Sequence, residues 1–167
     1  MTRAGDSGEV LSGIGWDSHR LAAGRPLILG GVHIPAARGP VAHSDGDVLA
    51  HAIIDALLGA GGLGDIGQHF PDSDQRYRGA NSLELLAGVV DKVRSAGLRL
   101  VNVDATVLAE QPRLGPHRED IQASLARVLG LAARRVNVKA TTGEGMGFVG
   151  RGEGIAALAV AALRSAD

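Results

Sequence analysis

The chain has 167 residues, a net charge of −1, no cysteine and 2% aromatic residues. Without cysteine, disulfides, thiolate metal sites and thiol catalysis are excluded. The balanced charge and scarce rings exclude a nucleic-acid or anionic-membrane surface, which needs a positive field or stacking platforms.

No apolar run approaches the ~20 residues that span a bilayer. Residues 1–9 are polar, with no apolar h-region. The expectation is a cytoplasmic protein with a frayed tail over 1–9 and a single domain over 10–167. Val10 to Trp16 predicts a strand running into Asp17-Ser18-His19. Residues two apart on a strand share a face, so Asp17 and His19 can converge on one point. Leu27-Ile28-Leu29 and Val32-His33-Ile34, joined by Gly30-Gly31, predict a hairpin, and Ala36 to Val41 a loop. His43-Ser44-Asp45-Gly46-Asp47 reads as a helix start, with Ser44 and Asp47 as a loose capping box. Val48, Ala52, Ile53, Ala56 and Leu57 then recur at helical spacing, predicting one core-facing side over Val48 to Leu58. His51 stacks over Asp55 on that helix.

Gly59, Gly61, Gly62 and Gly64 end the helix, and Gly64-Asp65-Ile66-Gly67 reads as a tight turn. Arg76 to Gly79 reads as an exposed loop. Asn81 and Glu84 open a second helix, continued by Leu83, Leu86, Val90 and Val93 and stopped at Gly97. Leu98 to Ala109 predicts a strand with Val101, Val103, Ala105 and Val107 on one face. Glu110 to Gly115 forms a loop, and Pro116 suits the first turn of a third helix ending near Leu129. Arg134 to Thr141 predicts a strand and Thr142 to Gly152 a glycine-rich loop. Ile155 to Leu163 stays open: its alanines favour helix, while its unbroken apolar character suits a buried strand.

Two groups carry chemistry. Asp17, His19 and His51 are three candidate zinc ligands, the number that leaves a fourth position for water or substrate. His43 sits before a helix N-terminus, where anions are held, and is a candidate phosphate donor. Thr141, Thr142 and the glycine-rich turn after them offer O–H and N–H donors to a diphosphate, and Glu144 suits a hard cation such as magnesium. His33, His69 and His117 have no partner at ligand spacing.

Gly15-Trp16-Asp17-Ser18-His19, the block His43 to His51 with Asp55, Gly64-Asp65-Ile66-Gly67, Phe70-Pro71-Asp72-Ser73-Asp74 and the run Asn137 to Gly154 stand in an order that resembles the 2-C-methyl-D-erythritol 2,4-cyclodiphosphate synthases. These are lyases of the non-mevalonate isoprenoid pathway. The chain departs from the usual pattern at Trp16 and Ser18, where Phe and Val are common, and at Gly143, which replaces a third threonine. The resemblance implies an α+β fold: a small mixed β-sheet backed by about three helices, in a ferredoxin-like arrangement, with Ile155 to Leu163 as a strand. It implies a homotrimer with active sites between subunits and a substrate, 4-diphosphocytidyl-2-C-methyl-D-erythritol 2-phosphate, that cyclises with release of CMP. Zinc or another divalent cation would sit on Asp17, His19 and His51, and magnesium or manganese on Glu144 with the diphosphate. His43 and Thr142 would be catalytic. Substrate contacts would come from Ser18, Ser44, Asp65, Ile66, Gly67, Phe70, Pro71, Asp72, Ser73 and Asp74. The cytidine and its phosphates would meet Ala109, Glu110, Gln111, Pro112, Arg113, Leu114 and Gly115, with Thr141, Gly143, Phe148 and Arg151. Two other readings stay open: a metal- or nucleotide-binding module without catalysis, and a zinc phosphoesterase using Asp55 or Asp65 as base.

Overall fold

The computed structural model describes residues 9–166, so the expected tail lies outside the described residues except for Glu9, which is exposed. Five strands form the main sheet in the order β4-β1-β7-β5-β6. They are β1 (Val10–Ala23), β4 (Arg38–Pro40), β5 (Leu98–Leu108), β6 (Val136–Thr141) and β7 (Gly154–Ser165). Only β5 and β6 run parallel; the other neighbours are antiparallel. A separate hairpin pairs β2 (Leu27–Leu29) with β3 (Val32–Ile34). Three long helices, α1 (Val48–Ala60), α3 (Ser82–Ser95) and α4 (Arg118–Leu129), pack on the sheet. Two four-residue helices, α2 (Ile66–His69) and α5 (Gly147–Gly150), sit in the loops. The mixed, helix-backed α+β sheet agrees with expectation. The main-sheet strands and long helices run β1-β4-α1-α3-β5-α4-β6-β7 along the chain, an elaboration of the alternation of strands and helices in the ferredoxin-like β-α-β-β-α-β order.

The open segment 155–163 is strand, paired with both β1 and β5. Its inward residues Ile155, Ala157, Ala159, Ala161 and Leu163 are all essentially fully buried. They are mostly small because α1 lies very close to the sheet. A Cβ at Gly13 would stand 2.3 Å from the carbonyl oxygen of Ala56, and one at Gly15 only 1.9 Å from that of Ala52. Burial in a central strand thus overrides the helix propensity of alanine. On the opposite sheet face, Ile14, Trp16 and Val160 are exposed.

Several boundaries differ from the sequence reading. The first strand continues to Ala23, because Leu21–Ala23 pairs with Arg38–Pro40, part of the segment expected as loop. Helix α1 is buried nearly all round, not on one face, since it packs on β1, β7, α3 and the hairpin. Its N-cap is Asp47, which accepts from Ala50 N, rather than Ser44. Asp47 also accepts from Gly30 N and Gly31 N at 3.0 and 2.8 Å. Both glycines have positive φ, as a two-residue hairpin turn requires. One buried carboxylate therefore ties the hairpin turn to the helix start. Val101 is not part of the inward row of β5: the register shifts between Leu100 and Asn102, so alternation begins at Val103. Single-turn 3-10 segments stand at Gln75–Tyr77, Gly115–His117 and Ala133–Arg135, where loop, helix and strand were expected respectively.

Candidate active site

Strand β1 and helix α1 bring the three candidate ligands together. Asp17 and His19 lie on the helix-facing side of β1, the side of Gly13 and Gly15, and His51 stands on the adjoining turn of α1. Asp17 Oδ2 is 2.9 Å from His19 Nε2 and 2.9 Å from His51 Nδ1, and the two histidine nitrogens are 3.4 Å apart. The close approach of β1 and α1 over glycine and alanine makes these distances possible.

The site's electrostatics favour a cation. Burial raises the Asp17 pKa, but the hydrogen bonds and charge of His19 and His51 outweigh it and hold the carboxyl at about 2, against the usual 3.8. Burial opposes a charged His51, yet Asp17, with Asp47 and Asp45 behind it, raises that histidine above its usual value. One carboxylate and two imidazoles, each offering one atom within 4.8 Å of the others, can hold a divalent metal ion.

The triad opens into a cleft of about 660 Å³. His43, Ser44, Ile66, Gly67, Phe70, Pro71 and Asp72 line it, joined by Trp16, noted in the sequence only as a departure from the usual pattern, and by Tyr77 and Leu85, which the sequence did not single out. His43 Nε2 is buried and, among the described residues, has no hydrogen-bond partner. A buried orphan nitrogen is costly unless a ligand completes it, so it marks a place for an acceptor. The expected tight turn at 64–67 is the start of α2, with Asp65 as N-cap accepting from Gln68 N. Asp55 accepts from Ile66 N, which anchors this wall to α1. Ser73 lies outside the cleft lining, and Asp74 is paired with Arg76. Ser18 projects to the opposite face of β1, into a shallower hollow with Phe148 and Glu153.

The second group assembles around the ends of β5 and β6. Glu110 Oε2 accepts from Gly143 N at 2.9 Å, joining the 109–115 loop to the turn after β6. In that turn, Thr142 Oγ1 accepts from Glu144 N at 3.2 Å and donates to Glu144 Oε1 at 3.1 Å. Glu144 sits at φ 51, a conformation uncommon outside glycine. Gly143 has no room for a side chain: a Cβ there would stand 2.5 Å from Gly150 N. The glycine in place of threonine goes with a tightly folded loop. Glu110, Gln111, Pro112 and Arg151 line a hollow of about 310 Å³ with Leu21 and Arg38, and Arg151 is paired with Glu153. Ala109 and Leu114 are buried in the core. The two hollows share no lining residue.

This fold and site define a family of metal-site α+β proteins, and the chain belongs to it: residues 10–164 match the YgbB family. The 2-C-methyl-D-erythritol 2,4-cyclodiphosphate synthase of Alkaliphilus oremlandii is 56% identical over 151 residues, covering 90% of this chain and 96% of that protein. Among solved structures, the bifunctional IspDF of Campylobacter jejuni aligns with TM-score 0.92 and 48% identity, over 95% of this chain and 43% of that one. A CDP-bound 2C-methyl-D-erythritol-2,4-cyclodiphosphate synthase aligns with TM-score 0.85 and 42% identity, over 92% of this chain and 99% of that one.

Proposed function

We propose that this chain cyclises 4-diphosphocytidyl-2-C-methyl-D-erythritol 2-phosphate to 2-C-methyl-D-erythritol 2,4-cyclodiphosphate, releasing CMP, as a cytoplasmic enzyme. The observation that carries the reading is the cleft that the Asp17/His19/His51 cluster shares with His43, whose Nε2 has no hydrogen-bond partner among the described residues. The 2-phosphate oxygen attacks the β-phosphorus, a new P–O bond forms, and the bond from the β-phosphorus to the bridging oxygen breaks, leaving with CMP. The nucleophile is already an anion, so no external base is required. The protein's task is positioning and charge neutralisation.

Zinc or a similar divalent ion on Asp17, His19 and His51 would withdraw charge from phosphate oxygens. His43 donates from Nε2 to a phosphate oxygen, with Ser44 beside it. Gly67, Phe70 and Asp72 form the wall for the methylerythritol portion. Thr142 offers its hydroxyl to the leaving side, and Glu144 offers a carboxylate to a second cation, magnesium or manganese. The loop 109–115 with Thr141 and Gly143 takes the cytidine and its phosphates.

The two hollows share no lining residue within one chain, which supports a site completed by a neighbouring copy in a homotrimer. The exposed sheet face of Ile14, Trp16 and Val160 suits such an assembly. A phosphoesterase reading is less well supported, since Asp55 and Asp65 each hold a backbone N–H through Oδ1 and neither lines the cleft beside the candidate metal site. Among the described residues, no helix is long and apolar enough to cross a membrane. The test is incubation with the cytidyl substrate, zinc and magnesium, followed by phosphorus NMR. CMP with a cyclic diphosphate is expected; a ring-opened monoester, or no turnover, refutes the reading.

A further inference from the structure

Behind the metal cluster, His51 is held by a chain of hydrogen bonds that none of the mechanistic steps uses. His51 Nε2, the nitrogen turned away from Asp17, is 2.8 Å from Ser82 Oγ. Ser82 is the first residue of α3 and is fully buried. It gives both its protons to one carboxylate: its N–H to Asp45 Oδ2 at 3.0 Å, and its O–H to Asp45 Oδ1 in a very short contact. An ionised carboxylate only accepts. A serine hydroxyl has a single proton, and here Asp45 takes it. The Ser82 oxygen can then meet His51 only as an acceptor, so Nε2 must carry the imidazole proton. Ser44 Oγ, 3.2 Å from the same nitrogen, can accept as well.

With the proton fixed on Nε2, Nδ1 presents a bare lone pair to Asp17 Oδ2 at 2.9 Å. Two acceptors face each other at hydrogen-bond distance. That arrangement calls for a cation or a proton between them, and His19 Nε2 completes the ring around that point.

We infer that Asp45 and Ser82 are positioning residues that lock His51 in the Nε2–H tautomer and thereby present Nδ1 to a divalent metal ion. The inference rests on the metal reading of the Asp17/His19/His51 cluster. It goes beyond that reading in coupling the metal site to the docking of α3, since the hydroxyl that sets the tautomer belongs to that helix. Outer partners of this kind fix ligand orientation and typically change metal affinity 10- to 100-fold when removed.

The test uses the full chain and zinc as the probe. Long-range nitrogen–proton NMR of the unsubstituted protein, zinc-loaded or at a pH high enough to make the zinc-free His51 neutral, should show His51 protonated at Nε2 and not at Nδ1. Ser82→Ala should weaken zinc binding roughly 10- to 100-fold and let the His51 signals move toward a tautomer mixture, while Ser82→Thr, which keeps the hydroxyl, restores both. Asn81→Ala is the control for mere helix weakening. Asn81 caps α3 through Leu83 N without touching His51, so its loss should lower stability and leave zinc affinity within about threefold. A neutral or zinc-bound His51 protonated at Nδ1, or a folded Ser82→Ala protein with unchanged zinc affinity and tautomer, overturns the inference. If Ser82→Ala does not fold, the tautomer in the unsubstituted protein still decides. Failure of the unsubstituted protein to bind zinc overturns the metal reading itself, and this inference with it.

Discussion

Gly15→Ala tests whether the β1–α1 separation sets the metal cluster. The added Cβ would stand 1.9 Å from Ala52 O, where ordinary contact begins near 3.4 Å, so the helix must withdraw by the difference of about 1.5 Å. Neither neighbour can swing aside, because both are backbone atoms of α1: Ala52 O and, at 2.7 Å, Ala56 N. Gly15 is two residues before Asp17, and Ala52 directly follows His51. The withdrawal therefore falls on the distance between Asp17 Oδ2 and His51 Nδ1, now 2.9 Å. Metal–ligand distances are held within about 0.2 Å, so a displacement several times larger should weaken zinc binding by roughly two orders of magnitude or more. Overpacking of this kind also costs about 1–3 kcal/mol of folding stability. Zinc affinity is read by chelator competition and stability by urea unfolding of the zinc-free protein. A variant that loses stability as expected yet binds zinc within threefold of the parent would falsify the link between strand–helix spacing and the cluster. If neither quantity changes, the close packing itself is refuted.

Other outcomes follow from single residues. Gly88→Ala on α3, where an added Cβ meets nothing within 4 Å, should stabilise the protein by about 0.5–1 kcal/mol, seen as a higher urea midpoint. Asp47→Ala removes the acceptor for Gly30, Gly31 and Ala50 N–H; the lost cap and the orphaned buried donors should cost about 3 kcal/mol or more in the same assay. In the zinc-free protein, the depressed Asp17 gives stability that is full above 3.8 and lost as pH falls through about 2. The raised His51 gives stability that is full below 6.5 and lost as pH climbs through its higher folded value. The contribution of this pair to the urea midpoint should therefore plateau between those limits, so the difference between the parent and Asp17→Asn should be largest there and shrink on both sides. Thr142→Val should lower kcat by no more than the roughly 2.7–4 kcal/mol seen for oxyanion donors; a rise in KM alone shows that the hydroxyl binds ground and transition state equally. Glu144→Gln should cut turnover and magnesium dependence while leaving zinc bound, and a parental rate with an unchanged magnesium requirement places the second cation elsewhere.

The parts of the site that obey a local period were readable from the sequence. Asp17 and His19 share a strand face by alternation, and His51 falls on a helix whose apolar spacing is plain. Ser82 and Asp45 were not readable as a unit, because their bond joins residues 37 apart and nothing local announces it. Asp47 displaced Ser44 as the cap for a similar reason: the hairpin turn supplies two further donors to it. The one-sided pattern of α1 understated its burial, since Leu49, Ala50, Ile54 and Leu58 fall off the chosen stripe and are buried as well, covered by elements distant in sequence. Val101 was misplaced because a bulge leaves no trace in an alternating run of valines. Residues 155–163 needed the resemblance, as short apolar stretches do not distinguish strand from helix.

The pairing of β1 has a consequence for how the protein comes into being. Its partner along the long ladder, from Val10↔Arg164 to Arg20↔Gly154, is β7, the last element of the described chain. During synthesis Asp17 and His19 leave the ribosome early, and β4 can pair with the end of their strand soon after, yet the long-ladder neighbour arrives only after α1, α3, β5, α4 and β6 have been made. Closing so long a loop is slow. The lining of the cleft, all of it between Trp16 and Leu85, is thus made early, while the sheet that backs it is closed last, so a metal ion should be held at full strength only once β7 is in place.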